Sequence, residues 1–510
     1  MTWTNAIAAF LLTCGAAVAG PTYEPQTVPN HAYTGGWEHY VGGGLAVFDC
    51  DDDGRLDLMV AGGTSPPTLW RNISEDQGTI RFEVMPMPEL TATTGAYPID
   101  IDNDSVLDLV LMRVGPDMIL RGLGSCEFTP TSLPDITFTN KWTTAFSATW
   151  EAGNTRPTLA FGHYVDRTNA DGPFEACDKN LLLRPDGDFY KSTPLTPGFC
   201  PLSMLFSDWD RDGTSDLRVS NDRHYYVRGG AEQLWDITNT PRLYGETDGW
   251  VNHEIWGMGI ASRDIDRNGL ADVFLSSMGD QRLQEWTGKG AEFKDVPFDR
   301  GAAAHKPYTG GDGRPSTGWH ISIGDVQNDG LDDVFIAKGN VQQMPGMAMD
   351  DPNNLLIQTS DATFVETGFE AGIASLHRAR GAALADFNAD GLLDLAVVNR
   401  VAPLEVYRNT TADTGNWLSI EPRQQGINTR AIGGWIELMD DYGLQLRELT
   451  IGGGHAGGIL GPQHFGLDQA ETVSFRIIWP DGTHSEWAKA KQNQRLQVIR
   501  SGTTLDIFPY

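Results

Sequence analysis

One nine-residue spacing, repeated six times, limits what this chain can become. Oxygen-bearing side chains stand at positions one, three, five and nine, and an apolar run follows each copy. The copies are Asp49, Asp51, Asp53 and Asp57; Asp100, Asp102, Asp104 and Asp108; Asp208, Asp210, Asp212 and Asp216. Three more follow: Asp264, Asp266, Asn268 and Asp272; Asp325, Gln327, Asp329 and Asp333; Asp386, Asn388, Asp390 and Asp394. Acidic residues at alternate positions of a tight loop aim their carboxylates at one centre. Glycine at position six, present in every copy but one, lets the backbone turn so that the position-seven carbonyl joins them. Those seventh residues are Arg55, Val106, Thr214, Leu270, Leu331 and Leu392. Hard oxygens in that number suit Ca²⁺, which takes about six to eight of them. An EF-hand loop begins the same way, but it needs a Glu at position 12 and a following helix. Here position 12 of the last copy is Val397, inside a β-branched run. The expectation is up to six structural Ca²⁺ ions, each in a loop that leads into a β-strand.

The period sets the architecture. Copies recur at roughly 50–60 residues, the repeat length of a propeller blade made of about four short strands. Glycine falls five residues before the first Asp in four copies, at Gly44, Gly95, Gly259 and Gly381. The interval from Asp108 to Asp208 has room for one more unit. Gly162 to Gly172, with Asp166 and Asp171, reads there as a degraded loop, and Asn180-Leu-Leu-Leu matches Asn354-Leu-Leu-Ile of a later unit. The reading is an all-β chain: a seven-bladed β-propeller with calcium loops, one blade lacking a competent loop, then a small β-sandwich-like domain.

Residues beyond the repeats carry a second pattern: Trp417-Leu-Ser-Ile, Ala431-Ile-Gly-Gly-Trp-Ile-Glu, Gly452-Gly-Gly-His-Ala-Gly-Gly, His464-Phe-Gly-Leu, Trp479-Pro-Asp-Gly and Asn493-Gln. This stretch resembles the ASPIC/UnbV domain, and the loops resemble the FG-GAP (VCBS-type) repeats of integrin-α-like propellers. Together they place the chain beside the cartilage acidic protein family and its bacterial relatives. The resemblance implies an exported calcium-binding protein of the binding or adhesion type, with calcium structural and a protein or glycan ligand. Gln327 at a third position and Ser105 at a sixth depart from the pattern, so those two loops are expected to bind most weakly. The divisions expected are a signal peptide over 1–19, the propeller over 20–414 and the ASPIC/UnbV-like domain over 415–510. The glycines of 452–461 read as a loop of that last domain.

Ala6 to Ala19 form a short apolar run ending in a small-x-small cleavage pattern, a secretory signal too short to span a bilayer. No later segment reads as transmembrane. Secretion, a periplasmic location or the cell surface follows. Four cysteines remain after Cys14, an even count that suggests two disulfides in an exported chain. Cys177–Cys200 is the favoured pair, closing a loop in the degraded blade, and leaves Cys50–Cys126 to join the first two blades; buried free thiols are the alternative. A formal charge of −31 concentrates in the loops, and six divalent ions would neutralise much of it. The remainder argues against nucleic acid, whose binding needs clustered Lys and Arg. Fifteen Trp and thirteen Tyr fit either wedges between blades or a sugar-binding surface. Asn72-Ile-Ser74 and Asn409-Thr-Thr411 are glycosylation sequons.

In the fifth clear copy His320, preceded by Trp319, replaces the glycine before the first Asp. Innermost strands face the axis, so this residue is expected to project into the channel. His39, His253, His377 and Arg380 lie at nearby register positions on other blades. They read either as a converging site for a transition metal or an anionic ligand, or as separate hydrogen-bonded residues at the channel mouth. The chain shows no G-x-S-x-G, H-E-x-x-H or phosphate-cradling glycine loop. A paired-carboxylate glycosidase site carries no fixed spacing. Two functions are therefore weighed: a calcium-stabilised recognition protein, and a polysaccharide lyase or hydrolase with its site at the channel mouth.

Overall fold

In six units of the chain an acidic loop forces a reversal between two apolar strands, and everything else is arranged around that turn. The computed structural model describes residues 20–225, 227–308 and 312–510, so the expected leader lies outside the described residues. Within them the chain is all-β, with three short 3₁₀ turns and no α-helix. The first unit pairs Leu45–Phe48, Asp57–Val60, Thr68–Asn72 and Phe82–Met85 as an antiparallel meander. Six further four-stranded units follow the same plan. Their first strands are Thr93–Ile99, Lys141–Thr149, Pro201–Ser207, Gly257–Arg263, Gly318–Gly324 and Arg378–Ala385. Each first strand touches the next, and the seventh touches the first, which closes a ring. Tyr23–Pro25 completes the seventh unit by pairing with Glu405–Asn409, so the ring is fastened by its own N-terminal end.

Burial explains the composition of these strands. Leu45–Phe48 and Thr93–Ile99 are buried along their whole length, because neighbouring units cover both faces. Outer strands such as Phe82–Met85 are only partly covered, with Phe82 buried and Val84 exposed.

Two disulfides, Cys50–Cys126 and Cys177–Cys200, are formed. The first ties the acidic loop of unit one to unit two. The second lies in the unit whose loop is degenerate, but that loop is not where the sequence reading put it. Residues 166–172 join the second and third strands of this unit, Thr158–His163 and Asn180–Asp186. The reversal equivalent to the acidic loops is Trp150 to Pro157, which holds a single carboxylate, Glu151. Asp-Gly pairs also make ordinary turns, which is why the earlier segment mimicked a loop.

The C-terminal part forms two four-stranded sheets facing one core of Ile420, Leu438, Phe465, Phe475, Trp479 and Val498. One sheet runs Gln463–Asp468, Asn416–Arg423, Gln494–Ser501, Thr504–Pro509; the other runs Gly443–Glu448, Trp435–Asp440, Thr472–Ile478, Ala488–Lys491.

Between Glu448 and Gln463 the chain leaves this domain and enters the ring. Ile459–Leu460 adds a parallel strand to Leu45–Phe48. Ahead of it, the backbone at Ile451, Gly453, Gly454, Ala456 and Gly458 exchanges hydrogen bonds with the first strands of units three, four, five, two and one in turn. Gly44 and Gly95 make room for it: a β-carbon at either would lie within 2 Å of the Ala456 carbonyl oxygen. The glycines at 452–458 are thus an axial insert rather than a loop confined to the β domain.

Candidate metal centres

Local hydrogen bonding shows how each acidic loop holds its shape. The position-one carboxylate accepts the amides of positions five and six, as Asp49 does from Asp53 (3.2 Å) and Gly54 (2.8 Å). The position-five side chain accepts the amide of position seven, which locks Arg55, Val106, Thr214, Leu270, Leu331 and Leu392 in place. Position six takes a left-handed conformation in every copy, and Ser105 adopts it too, with φ at 73°. That substitution therefore keeps the turn and carries the strain a non-glycine residue meets there.

Position nine has a different task. Asp108 accepts the Ile101 amide at 2.9 Å with one oxygen and the Gly122 amide at 2.8 Å with the other. Asp57, Asp333 and Asp394 do the same at their own loops. This residue ties the loop to the next two strands whether or not a cation is present.

Four loops bring three carboxylate oxygens within 4.8 Å of one another: Asp49, Asp51 and Asp53; Asp100, Asp102 and Asp108; Asp208, Asp210 and Asp212; Asp264, Asp266 and Asp272. Burial, then the neighbouring carboxylates, push Asp57 and Asp272 up to about 8. Asp108 rises to about 7 by the same causes. Burial, ahead of neighbouring charge, holds Asp325, Asp333 and Asp394 well above the ordinary range. Buried oxygens without a hydrogen-bond partner remain on Asp51, Asp272 and Asn388, all at ligand positions. Gathered carboxylates, orphaned oxygens and raised proton affinity fit a divalent cation with oxygen preference. In loop two Arg121 reaches both Asp102 and Asp104 at 2.8 Å and competes for them, as Arg408 does for Asp390 in loop six at 3.1 Å. A fifth cluster, Cys50, Asp57 and Cys126, is not a thiolate site, since its sulfurs are joined.

All six loops lie on the ring face covered by the C-terminal domain, which touches each of them. Arg495 bonds the Gly54 carbonyl and Thr429 bonds Asp100. Glu448 accepts the Asp208 amide at 2.6 Å, and Arg267 pairs with Asp440 at 3.0 Å. His464 meets Asn328 at 2.7 Å, and Gly391 packs so tightly on Trp417 that a β-carbon would lie 1.9 Å from its indole nitrogen. None of these partners was visible in the sequence, because no spacing rule links them to the loops.

The channel histidines do not assemble. His320 does face the axis, where its Nδ1 accepts the amide of His455 in the insert at 3.0 Å. Arg380 lies over the Trp319 ring at 3.9 Å and donates to the Tyr40, Ala379 and Val341 carbonyls. His39, however, packs beside Tyr33, His253 sits 3.7 Å from Asp295, and His377 sits 3.9 Å from Glu405. Among the described residues, no group of three or more potential metal ligands includes any of them. The axis is occupied by backbone instead, and each imidazole has found a separate neighbour. The sequons are structural as well. Asn72 is buried with its amide on the Leu56 and Phe387 carbonyls, and Asn409 likewise holds Val326 and Leu393. A glycan has no access to either nitrogen in the folded chain.

Comparison with known proteins adds the following. Residues 424–505 match the family described as ASPIC and UnbV, and residues 49–111 and 325–397 match the FG-GAP-like repeat. Cartilage acidic protein 1 of Xenopus tropicalis is 33% identical over 238 residues, 44% of this chain and 34% of that protein. The human protein of that name is 25% identical over 252 residues, 48% of this chain and 36% of its own length. The chain thus spans about a third of the length of the curated relatives it matches. Among solved structures, BBS1N from its complex with ARL6DN overlaps at a TM-score of 0.46 with 12% identity, covering 76% of this chain and 98% of that one. An Agrocybe aegerita lectin that recognises terminal N-acetylglucosamine overlaps at 0.39 with 14% identity, covering 72% and 94%. Overlaps this loose bear on no ligand.

Proposed function

On the premise that this chain is an FG-GAP-repeat protein with a C-terminal ASPIC and UnbV domain, similar to cartilage acidic protein 1, we propose that it is an extracellular recognition protein whose ring is held in shape by Ca²⁺. The observation that supports the reading is the gathering of three carboxylate oxygens within 4.8 Å of one another in four of the six loops that face the C-terminal domain. Bound there, a divalent ion supplies the positive charge that the loops lack. The chain's own part is to orient the oxygens through backbone amides and to clamp every loop beneath the C-terminal domain. Two disulfides agree with an oxidising compartment, and among the described residues no helix is long and apolar enough to cross a membrane.

Metal analysis of purified protein tests the ion. Several equivalents of calcium per chain are expected, and EDTA should lower the melting temperature markedly, because an ion bound only by the folded state stabilises it by mass action. Graded chelation should empty the loops of Gln327 and Ser105 first. Metal content near zero in native protein would end the calcium reading.

A further inference from the structure

One lysine of this chain lies where water does not reach it. Among the described residues Lys338 is the single buried lysine, at 0% exposure. It stands five residues past position nine of its loop, where the other five loop-bearing units carry Gly62, Arg113, Asn221, Ser277 and Asn399. Nothing in the repeat therefore requires an amine at this place.

Its neighbours form a compact set. Lys338 ends the second strand of unit six, Asp333–Lys338, and Asn354 opens the third, Asn354–Gln358, beside it. The Lys338 Nζ donates to the Asn354 side-chain oxygen at 2.8 Å and lies 3.2 Å from Asp351 Oδ1. Asp351 and Asn354 are each 1% exposed. Asp351 is aimed by the Thr317 amide, which its Oδ2 accepts at 2.6 Å, while its Oδ1 faces the ammonium and accepts from no other group. The Lys338 amide is held by the Asn353 side chain at 2.9 Å. The segment between the two strands is pinned through Asn340, whose side-chain amide donates to the Met344 and Ala348 carbonyls.

Amine, carboxamide and carboxylate in this arrangement are the parts of an amide exchange. Burial lowers the proton affinity of Lys338 by more than the Asp351 charge restores it, and a neutral amine in a dry site is a nucleophile. Its target lies one bond away, since the oxygen it touches belongs to the Asn354 amide carbon. Holding both partners in place removes much of the entropic barrier to their reaction. A carboxylate beside the amine takes up a proton that the attack releases. We propose that Lys338 and Asn354 condense to an isopeptide bond inside unit six, with Asp351 as the base. The Nζ–Cγ bond forms and the Cγ–Nδ2 bond breaks. Of the two protons that leave Nζ, one goes to the departing nitrogen, which leaves as ammonia, and the other stays on Asp351. Until then Lys338 and Asp351 stand as a buried ion pair; afterwards an amide and a carboxyl group, both neutral, take its place. The bond ties two strands of the unit whose acidic loop carries Gln327 in place of an acid, as Cys177–Cys200 braces the unit with the degenerate loop.

Mass spectrometry of the purified protein with its disulfides reduced tests the bond. The chain is expected to be lighter by one ammonia than its sequence requires. Trypsin needs a free lysine side chain, and Lys306 and Arg314 precede proline and resist it. Residues 301–378 should therefore survive as one peptide, uncut after Lys338 and carrying the same deficit. Asp351→Ala should restore both the full mass and the cut; should that variant fail to fold, the unmodified sequence alone still decides through its peptide map. A chain of full mass, cut after Lys338, would overturn the proposal. So would a missing ammonia with that cut intact, which marks a succinimide elsewhere, and so would a missing water, which puts the bond on Asp351. Calcium does not enter the readout, so the result is independent of the recognition reading above.

Discussion

Single residues reveal how much charge the ring buries for structural ends. Lys338 and Asp351 are both fully buried and pair at 3.2 Å, with the ammonium also on Asn354 and the carboxylate accepting the Thr317 amide. Breaking such a pair leaves one charge in a medium that cannot solvate it. Lys338→Met should therefore lower unfolding stability by about 3–5 kcal/mol, and adding Asp351→Asn should recover part of that loss in the same denaturation experiment. Asn72 and Asn409 teach a related lesson. Their tripeptides have the sequence of a glycosylation site, yet each buried amide crosses to the carbonyl at position two of the preceding unit's acidic loop. Local sequence could not distinguish these uses, since the difference lies in what covers the nitrogen.

At the scale of the element, the nine-residue loop divides its acids into two jobs. Position three is left to the cluster of carboxylates; position nine fastens backbone. Asp102→Asn should weaken metal binding but cost little stability in EDTA, because its pairing with Arg121 is exposed. Asp108→Asn should cost about 1–3 kcal/mol even in EDTA, since an amide nitrogen would confront a backbone N–H now bonded to that oxygen. Thermal or urea melts of both variants with chelator present make the comparison, and equal losses would mean that position nine serves the ion alone. The loop was legible because its ligands are neighbours in sequence. Unit three was partly legible: its third strand, matched through Asn180, is where the repeat put it, whereas its degenerate loop proved to be Trp150 to Pro157.

For the molecule as a whole, the axial insert makes ring and C-terminal domain one structure. It also buries two imidazoles that must stay neutral. His455 accepts the Gly42 amide at 3.2 Å through Nε2, and His320 accepts the His455 amide through Nδ1. Protonation would turn either acceptor into a donor. Burial lowers His320 to about 4 and His455 to about 3. The unfolded chain, with histidines near 6.5, binds protons that the folded chain refuses, so stability is full above about pH 6.5 and falls as the pH drops toward 4. Each histidine accounts for about 2 kcal/mol at pH 5. Denaturant unfolding at pH 7 and pH 5 measures the loss, and His320→Gln should shrink the difference by roughly that amount. An unchanged difference would show that His320 is not the group responsible.

The linear order of residues by itself determined the acidic loops, the repeat and the all-β class, because each rests on contacts between residues close along the chain or on a period that sums them. Only the tertiary structure decided that the glycine-rich stretch fills the axis, that one domain covers every loop and that the histidines disperse. Those outcomes depend on which surfaces meet when the ring closes, and closure joins residues hundreds of positions apart that no local preference relates.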